Sequence, residues 1–559
     1  MAKRNISSGP MLNAYPDSIG GTLEDIVNVL KTDDVRGAFD SFYILPSVFN
    51  TDLDRGFSVI DYSINEELAS RQAIEDIKNL GVSLKLDFIL NHLSVLSPQF
   101  QDIITNGENS KYKDFFINWN KFWEGHGQMT EEGYIQPDAD IIKDMFFRKP
   151  GLPILMIRFP DGKDVPYWNT FYQEVRYDKV DAQDLMKMAR LAGEKMQYIT
   201  AEILSKKINA AIDEGKTPSE MDFAGYESYR QLVIDGLEAN RKYLGQMDLN
   251  IQSDLVWEYY DTVLKTLAEY GARIVRLDAF AYAPKAPGEK NFMNEPATWD
   301  TLERVQKIAD KYNLQLLPEI HASYGEKTYE VLAAKGYMTY DFFLPGLLID
   351  ALESHNGAHL AEWAREMKAN GIDTVNMLGC HDGIPLLDLK GILAEDRIQN
   401  LIDIVVSRGG YVKDLHGAKN MYYQVNATYY SALGEDDKKM LLARAIQMFM
   451  PGKPQVWYLD LFQGKNDYEA VKRAGAGGHK EINRTNLSPE DIKERLTWPS
   501  VQEQLKLLKF RKECKAFGFD ADFDVTVDGP NMIMTWSKDG AKATLKANLA
   551  DYSYEIITE

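Results

Sequence analysis

Three short apolar runs in this chain end on a carboxylate: RIVRLDAF at Asp278, LQLLPEIH at Glu319 and TVNMLGCHDG at Asp382. In a barrel of parallel strands the C-terminal strand ends open onto one face, where catalytic groups collect. Three acids gathered there suit sugar chemistry. One carboxylate attacks, one gives and takes a proton, and one holds the ring as positive charge develops. Arg276, two residues before Asp278, emerges on the same face of its strand, and its charge predicts an ionised Asp278. Glu319 is expected to start protonated, which needs a raised pKa in an enclosed pocket. The stretch DFILNH adds Asp87, Asn91 and His92 at a third strand end. His92 and His381 are expected to donate hydrogen bonds to sugar hydroxyls. The chain has no calcium loop with its glycine, so no metal is expected, and the chemistry calls for no cofactor.

Placing these groups requires strands. Apolar runs recur at 11–15, 39–46, 83–90, 272–280, 314–320, 338–345, 373–380 and 455–462. Their continuous rather than alternating apolarity predicts strands buried on both faces, as in a parallel sheet covered by helices. Amphipathic stretches such as GTLEDIVNVLKT, RQAIEDIKNLG and TWDTLERVQKIADKY lie between them. The fold class predicted is α/β, a TIM-type (β/α)8 barrel, with a doubly wound open sheet as the alternative.

The uneven spacing divides the chain. Barrel segments are expected at 1–92, 246–382 and 437–518. An aromatic-rich inserted domain is expected at 93–172 and a charged helical insertion at 173–245, whose methionine stripe reads as helix packing. An inserted loop domain is expected at 383–436. From 519 to 559 short alternating segments with turn residues predict a small antiparallel β domain.

At 559 residues the chain is too long for one core. Its formal net charge of -21 argues against partners with phosphate backbones or anionic membranes, so neither nucleic acid nor membrane binding is expected. The basic start MAKRNISSGP leads into no apolar stretch, and no run approaches the length that spans a bilayer. Cys380 and Cys514 form no metal-ligand spacing and read as reduced thiols. A cytoplasmic protein is expected, monomer or homodimer.

DFILNH, RIVRLDAF, LLPEIH and GCHDG, in this order, resemble the four conserved segments of the alpha-amylase superfamily, glycoside hydrolase family 13. DRGFSVIDY (54–62), WNTF (168–171), DAFAYA (278–283), YYQVNATYYSALGEDD (422–437), QGKNDYE (463–469) and EINR (481–484) look like its sucrose phosphorylase branch. The resemblance implies a double displacement with Asp278 as nucleophile, Glu319 as acid/base and Asp382 as transition-state stabiliser. It places Asp54, Phe57, His92, Arg276, His381 and Arg484 around the glucosyl unit. Tyr282, His321, Tyr423 and Gln424 would shape the acceptor side. It implies a hexosyltransferase of carbohydrate metabolism that cleaves sucrose with inorganic phosphate to α-D-glucose 1-phosphate and fructose.

A phosphate dianion needs cationic or donor groups nearby, and Arg148, Lys149, Lys413 and His416 are available. The chain departs from the branch at TNLS (485–488), at LGC before His381 and in the helical insertion. These departures leave the acceptor open among fructose, fructose 6-phosphate, glycerol and glycerate. Sucrose 6-phosphate is the leading alternative substrate. A retaining α-glucosidase or transglucosylase and an inactive binding barrel are the rival readings.

Overall fold

A computed structural model describes residues 6–145, 147, 151–414, 422–475 and 478–559, with the backbone alone at 413, 414, 422 and 423. Eight strands form one parallel sheet: β1 (Met11–Ala14), β2 (Ser41–Ile44), β3 (Ser83–Ile89), β4 (Ala272–Asp278), β5 (Gln315–Pro318), β6 (Thr339–Asp341), β7 (Thr374–Met377) and β8 (Lys453–Trp457). Their order, β5-β4-β3-β2-β1-β8-β7-β6, is the cyclic order of a (β/α)8 barrel, with a seam between β5 and β6. All eight apolar runs therefore contribute a strand. The eighth differs in extent. Its strand starts at Lys453 and stops at Trp457, and the rest of the run is the short helix Tyr458–Leu461. Both halves are fully buried, and an unbroken apolar run carries no period that separates a strand from a buried helical turn.

Helices cover the sheet by ordinary amphipathic spacing. Leu23–Lys31, between β1 and β2, buries Leu23, Ile26, Val27 and Leu30 and opens with a Thr22–Asp25 capping box. Arg71–Asn79, between β2 and β3, buries Ala73, Ile74 and Ile77, and its Ser70 cap accepts from the Ala73 N–H at 3.1 Å. Inside the barrel a polar layer replaces part of the aliphatic filling. Lys85 on β3, fully buried, donates to the Tyr340 hydroxyl at 2.5 Å and to Gln455 at 2.6 Å.

After β3 the chain leaves the barrel and returns through a three-stranded antiparallel ribbon. His92–Ser94 pairs with Lys242–Asp248, which pairs with Gln173–Arg176. The stretch expected as purely helical thus begins and ends in strand. Between those strands the helices Ala182–Leu191, Tyr198–Asp213 and Arg230–Ala239 enclose their own apolar cluster, with Leu185, Leu204, Ile208 and Val233 at its centre. A separate aromatic cluster gathers Trp119, Trp123 and Trp168. At the C-terminus β9 (Asp522–Asp528), β10 (Asn531–Lys538), β11 (Ala541–Asn548) and β12 (Tyr554–Thr558) form an antiparallel sheet. Trp536 of β10 anchors it by donating to the Phe449 carbonyl at 2.8 Å. Both cysteines are unpaired, and among the described residues no helix is long and apolar enough to cross a membrane.

Candidate active site

Strand parity explains the site. On β4, Ile274, Arg276 and Asp278 point into the barrel, while Val275 and Leu277 face the covering helices. Arg276 lies in register with Asp87 of β3 and bonds its carboxylate at 2.5 Å. The same guanidinium meets Asp278 at 3.0 Å and Glu319, just beyond β5, at 2.9 Å. One buried cation therefore ties together three carboxylates. Above them opens a cavity of about 390 Å³, within the range of small-molecule sites.

Asp278, Glu319 and Asp382 all line this cavity, with Asp54, Phe57, His92, Arg276, Tyr282, His321, His381 and Gln424. Arg484 does not line it. It sits behind, donating to the His381 carbonyl at 2.8 Å, with Asp382 at 4.0 Å. Arg148, Lys149 and His416 lie outside the described residues, as do the side chains of Tyr423 and Lys413. Lys480, Phe171, Gln246 and Phe292 also line the cavity. Of these, Lys480 carries the most chemistry, since its ammonium contacts Asp382 at 2.5 Å. It directly precedes EINR, which is the one sequence signal that could have found it.

The backbone turns that aim these groups are strained. Asp54 and Arg55 both adopt left-handed angles (φ 50° and 49°), as does Ala279 immediately after Asp278 (φ 52°). The first turn is held by Arg55, which reaches Asp17 at 3.2 Å and donates to the Arg484 carbonyl at 2.8 Å. Gly56 is obligatory there, because a Cβ would lie 2.3 Å from the Ser47 nitrogen.

The loop after β7 is pinned from both sides. Asn483 donates to the carbonyls of Cys380 at 3.0 Å and Asp382 at 2.9 Å, while Asp460 accepts the Gly379 N–H at 2.8 Å. A methyl group at Gly379 would lie 2.8 Å from both oxygens of Asp460. Gly379→Ala should therefore push the loop outward and move Asp382. Misplacement of a reacting group on the ångström scale costs about 10²-fold. Steady-state kinetics should show a drop of roughly that size in kcat with the thermal midpoint little changed; an unchanged kcat would mean that the loop tolerates the shift.

The proton distribution differs from the sequence expectation. Burial, reinforced by Glu319, Asp87 and Asp382, raises the Asp278 carboxyl well above the usual range, although Arg276 opposes it. Glu319 is also buried, but Arg276 and His321 more than offset that and bring it down to about 2. Burial thus favours the protonated form of Asp278, whereas Glu319 is held ionised. The physical reason is that Arg276 is divided among three acids, whereas Glu319 has a second cationic neighbour in His321. Asp382 is buried as well, yet Lys480, His381 and Arg484 hold it well below the carboxylate range.

The histidines separate in the same way. His92 is lowered by burial, and its Nε2–H is already donated to the Phe57 carbonyl at 3.0 Å, so that bond goes to the protein rather than to a sugar. His381, stacked on Phe57 at 5.1 Å, is pushed down to about 3 by burial despite Asp382. It is therefore neutral at working pH. Its Nε2 lies 3.2 Å from Asp382, and its Nδ1 is buried without a hydrogen-bond partner among the described residues.

A parallel barrel with three acids around one cavity has the layout of a carbohydrate-active (β/α)8 enzyme. No family model matches the chain. A sucrose 6(F)-phosphate phosphorylase of Ilumatobacter coccineus is 47% identical over 100% of this chain and 97% of that protein. A sucrose phosphorylase of Streptococcus mutans is 31% identical, over 98% and 96%. The crystal structure of sucrose 6F-phosphate phosphorylase from Thermoanaerobacter thermosaccharolyticum superposes with a TM-score of 0.80 at 31% identity, covering 100% of this chain and 96% of that one. An alpha-amylase from H. orenii, at 14% identity and a TM-score of 0.58, shares the fold. The chain belongs to the family of sucrose and sucrose 6F-phosphate phosphorylases, and it is an enzyme of that phosphorylase type.

Proposed function

We propose that this enzyme is a retaining glucosyl phosphorylase acting on sucrose 6F-phosphate in preference to sucrose, releasing fructose 6-phosphate and α-D-glucose 1-phosphate. The observation that carries the reading is the meeting of Asp278, Glu319 and Asp382 in one cavity of a chain 47% identical, end to end, to a protein of that name. In the first displacement Asp278 attacks the anomeric carbon, and the C–O electron pair leaves with the ketose oxygen, which takes a proton from the Glu319 side. In the second, a phosphate oxygen displaces Asp278, and the phosphate proton returns to Glu319. Two inversions give net retention. Catalysis needs Asp278 ionised, a form that burial opposes and Arg276 favours. Positive charge developing at the anomeric carbon favours that form. Asp382, fixed as an anion by Lys480, faces the same charge.

Phe57, His381 and Asp54 would bind the glucosyl unit. Arg148, Lys149 and His416 remain the proposed contacts for phosphate, whether inorganic or on the ketose. A cytoplasmic setting accords with the two free thiols. Retaining α-glucosidase or transglucosylase action, and a barrel without activity, are the alternatives tested below.

The decisive assay incubates the enzyme with sucrose and with sucrose 6F-phosphate, each with and without phosphate. A charge-assisted contact to the ketose phosphate contributes about 1.5–3 kcal/mol, so kcat/KM should favour the phosphorylated donor by roughly 10- to 100-fold. Equal or better use of sucrose would return the acceptor to fructose. Free glucose dominating in excess phosphate would instead make the enzyme a hydrolase.

A further inference from the structure

We propose that His321 and Asp388 form a proton store for Glu319, with Asp388 as the positioning residue that keeps the store filled. This rests on the reading of Glu319 as acid/base. The geometry carries it. His321 Nδ1 lies 3.0 Å from an Asp388 oxygen, and its Nε2 lies 3.6 Å from a Glu319 oxygen. A neutral imidazole has one N–H and one lone pair, so it would turn a lone pair toward one of the two carboxylates; the imidazolium presents a donor to each. The ring cannot easily swing away, because it stacks on Phe342 with centroids 4.0 Å apart and planes 19° from parallel. Asp388 is itself buried, on the one-turn helix Leu386–Leu389 that follows the Asp382 loop.

The charges facing this store come from four segments. Glu319 follows β5, Arg276 and Asp278 reach Glu319 from β4, Asp382 faces it from beyond β7, and Asp388 closes the far side. Although burial opposes protonation, Asp388 and Glu319 together push the His321 pKa up to about 10.

The store accounts for a site whose acid is ionised at rest. As the C–O bond breaks, Glu319 takes the proton from His321 Nε2–H and passes it to the leaving oxygen, which leaves the carboxylate ionised and the imidazole neutral. When phosphate attacks the glucosyl-enzyme, its proton passes to Glu319 and back to the imidazole. No proton is gained or lost over the cycle. The 3.6 Å gap at rest is one that shortens in a loaded site.

Asp388→Asn keeps shape and removes the charge that holds the imidazolium. Substitution of such an outer partner typically costs 10- to 100-fold. That loss is expected in kcat/KM for sucrose 6F-phosphate and for sucrose, with the alkaline limb of the pH profile moved about one unit or more to lower pH. α-D-Glucosyl fluoride, whose leaving group needs no proton, should be consumed at within about threefold of the wild-type kcat/KM. Equal losses on both donor types, or an unmoved alkaline limb, would overturn the store. Glu319→Gln separates this from the underlying reading. If it spares glucosyl fluoride while losing the sucrose donors, Glu319 is the acid whatever Asp388 does; if it loses both equally, the acid/base assignment falls first.

Discussion

Asp278→Asn should abolish phosphorolysis while leaving the protein at least as stable as before. Loss of a catalytic nucleophile lowers kcat by about 10⁴-fold or more, because the remaining groups can only bind and polarise. The stability side follows from the carboxylate cluster. Asp278 shares Arg276 with Asp87 and Glu319, and its carboxyl is raised by burial and by the acids around it. An acid with a raised folded-state pKa keeps its proton where the unfolded chain has lost it. Stability therefore falls as pH rises through that window, and is greatest below the unfolded value. The amide removes this dependence. Its thermal midpoint should match or exceed wild type, with the larger gain at pH 8 than at pH 5. Retained turnover would refute the nucleophile assignment, and an inactive barrel would show no difference in product because it makes none. With Glu319→Gln and glucosyl fluoride, intact-mass measurement should also find one anhydroglucose unit on the protein, and peptide mapping should place it on Asp278.

The second large effect is structural. Lys285 is buried beside the cavity, its ammonium 2.8 Å from Asp248 and 3.0 Å from the Asn91 oxygen, and it also donates to the Tyr282 carbonyl. It ties the loop after β4 to the segment bearing His92 and to the returning ribbon. Asp248 has further donors in Thr170 and Asn91, yet no other positive side chain lies within ion-pairing distance among the described residues. Lys285→Met keeps the length and removes the charge. Breaking a buried ion pair by deleting one partner costs about 3–5 kcal/mol, since the other charge stays buried. Calorimetry should show the midpoint lowered by roughly 3–4 °C. Adding Asp248→Asn should recover a large part of the loss, because the stranded charge is gone. A single substitution within about 1 °C of wild type would refute a structural role for the Lys285–Asp248 pair.

These two cases mark how far the sequence could be read. Asp278 was legible because an acid at the end of a doubly buried strand stands out against RIVRL. Glu319 and Asp382 were legible for the same reason, and so were the eight strands. The weak points were places where pattern carries no information. The run 455–462 is apolar throughout, so its change from strand to helix at Tyr458 left no periodic trace. Lys285, Lys480 and Asp388 sit in loops among other polar residues, where a charge bound for the interior reads like one bound for water.

Residue types and spacing alone determined the eight strands and the three acids at their ends, because burial on both faces of a parallel sheet writes itself as continuous apolar runs interrupted at the strand ends; closure into a barrel and the strand order came from the folded chain. Only the folded chain decided how the charges of these acids are balanced. That depends on how one guanidinium is divided among Asp87, Asp278 and Glu319, and on Lys480 and His321 arriving from segments far along the chain. Electrostatic balance in a buried cluster is set by distances of a few ångström between residues remote in sequence, and no local pattern encodes those distances.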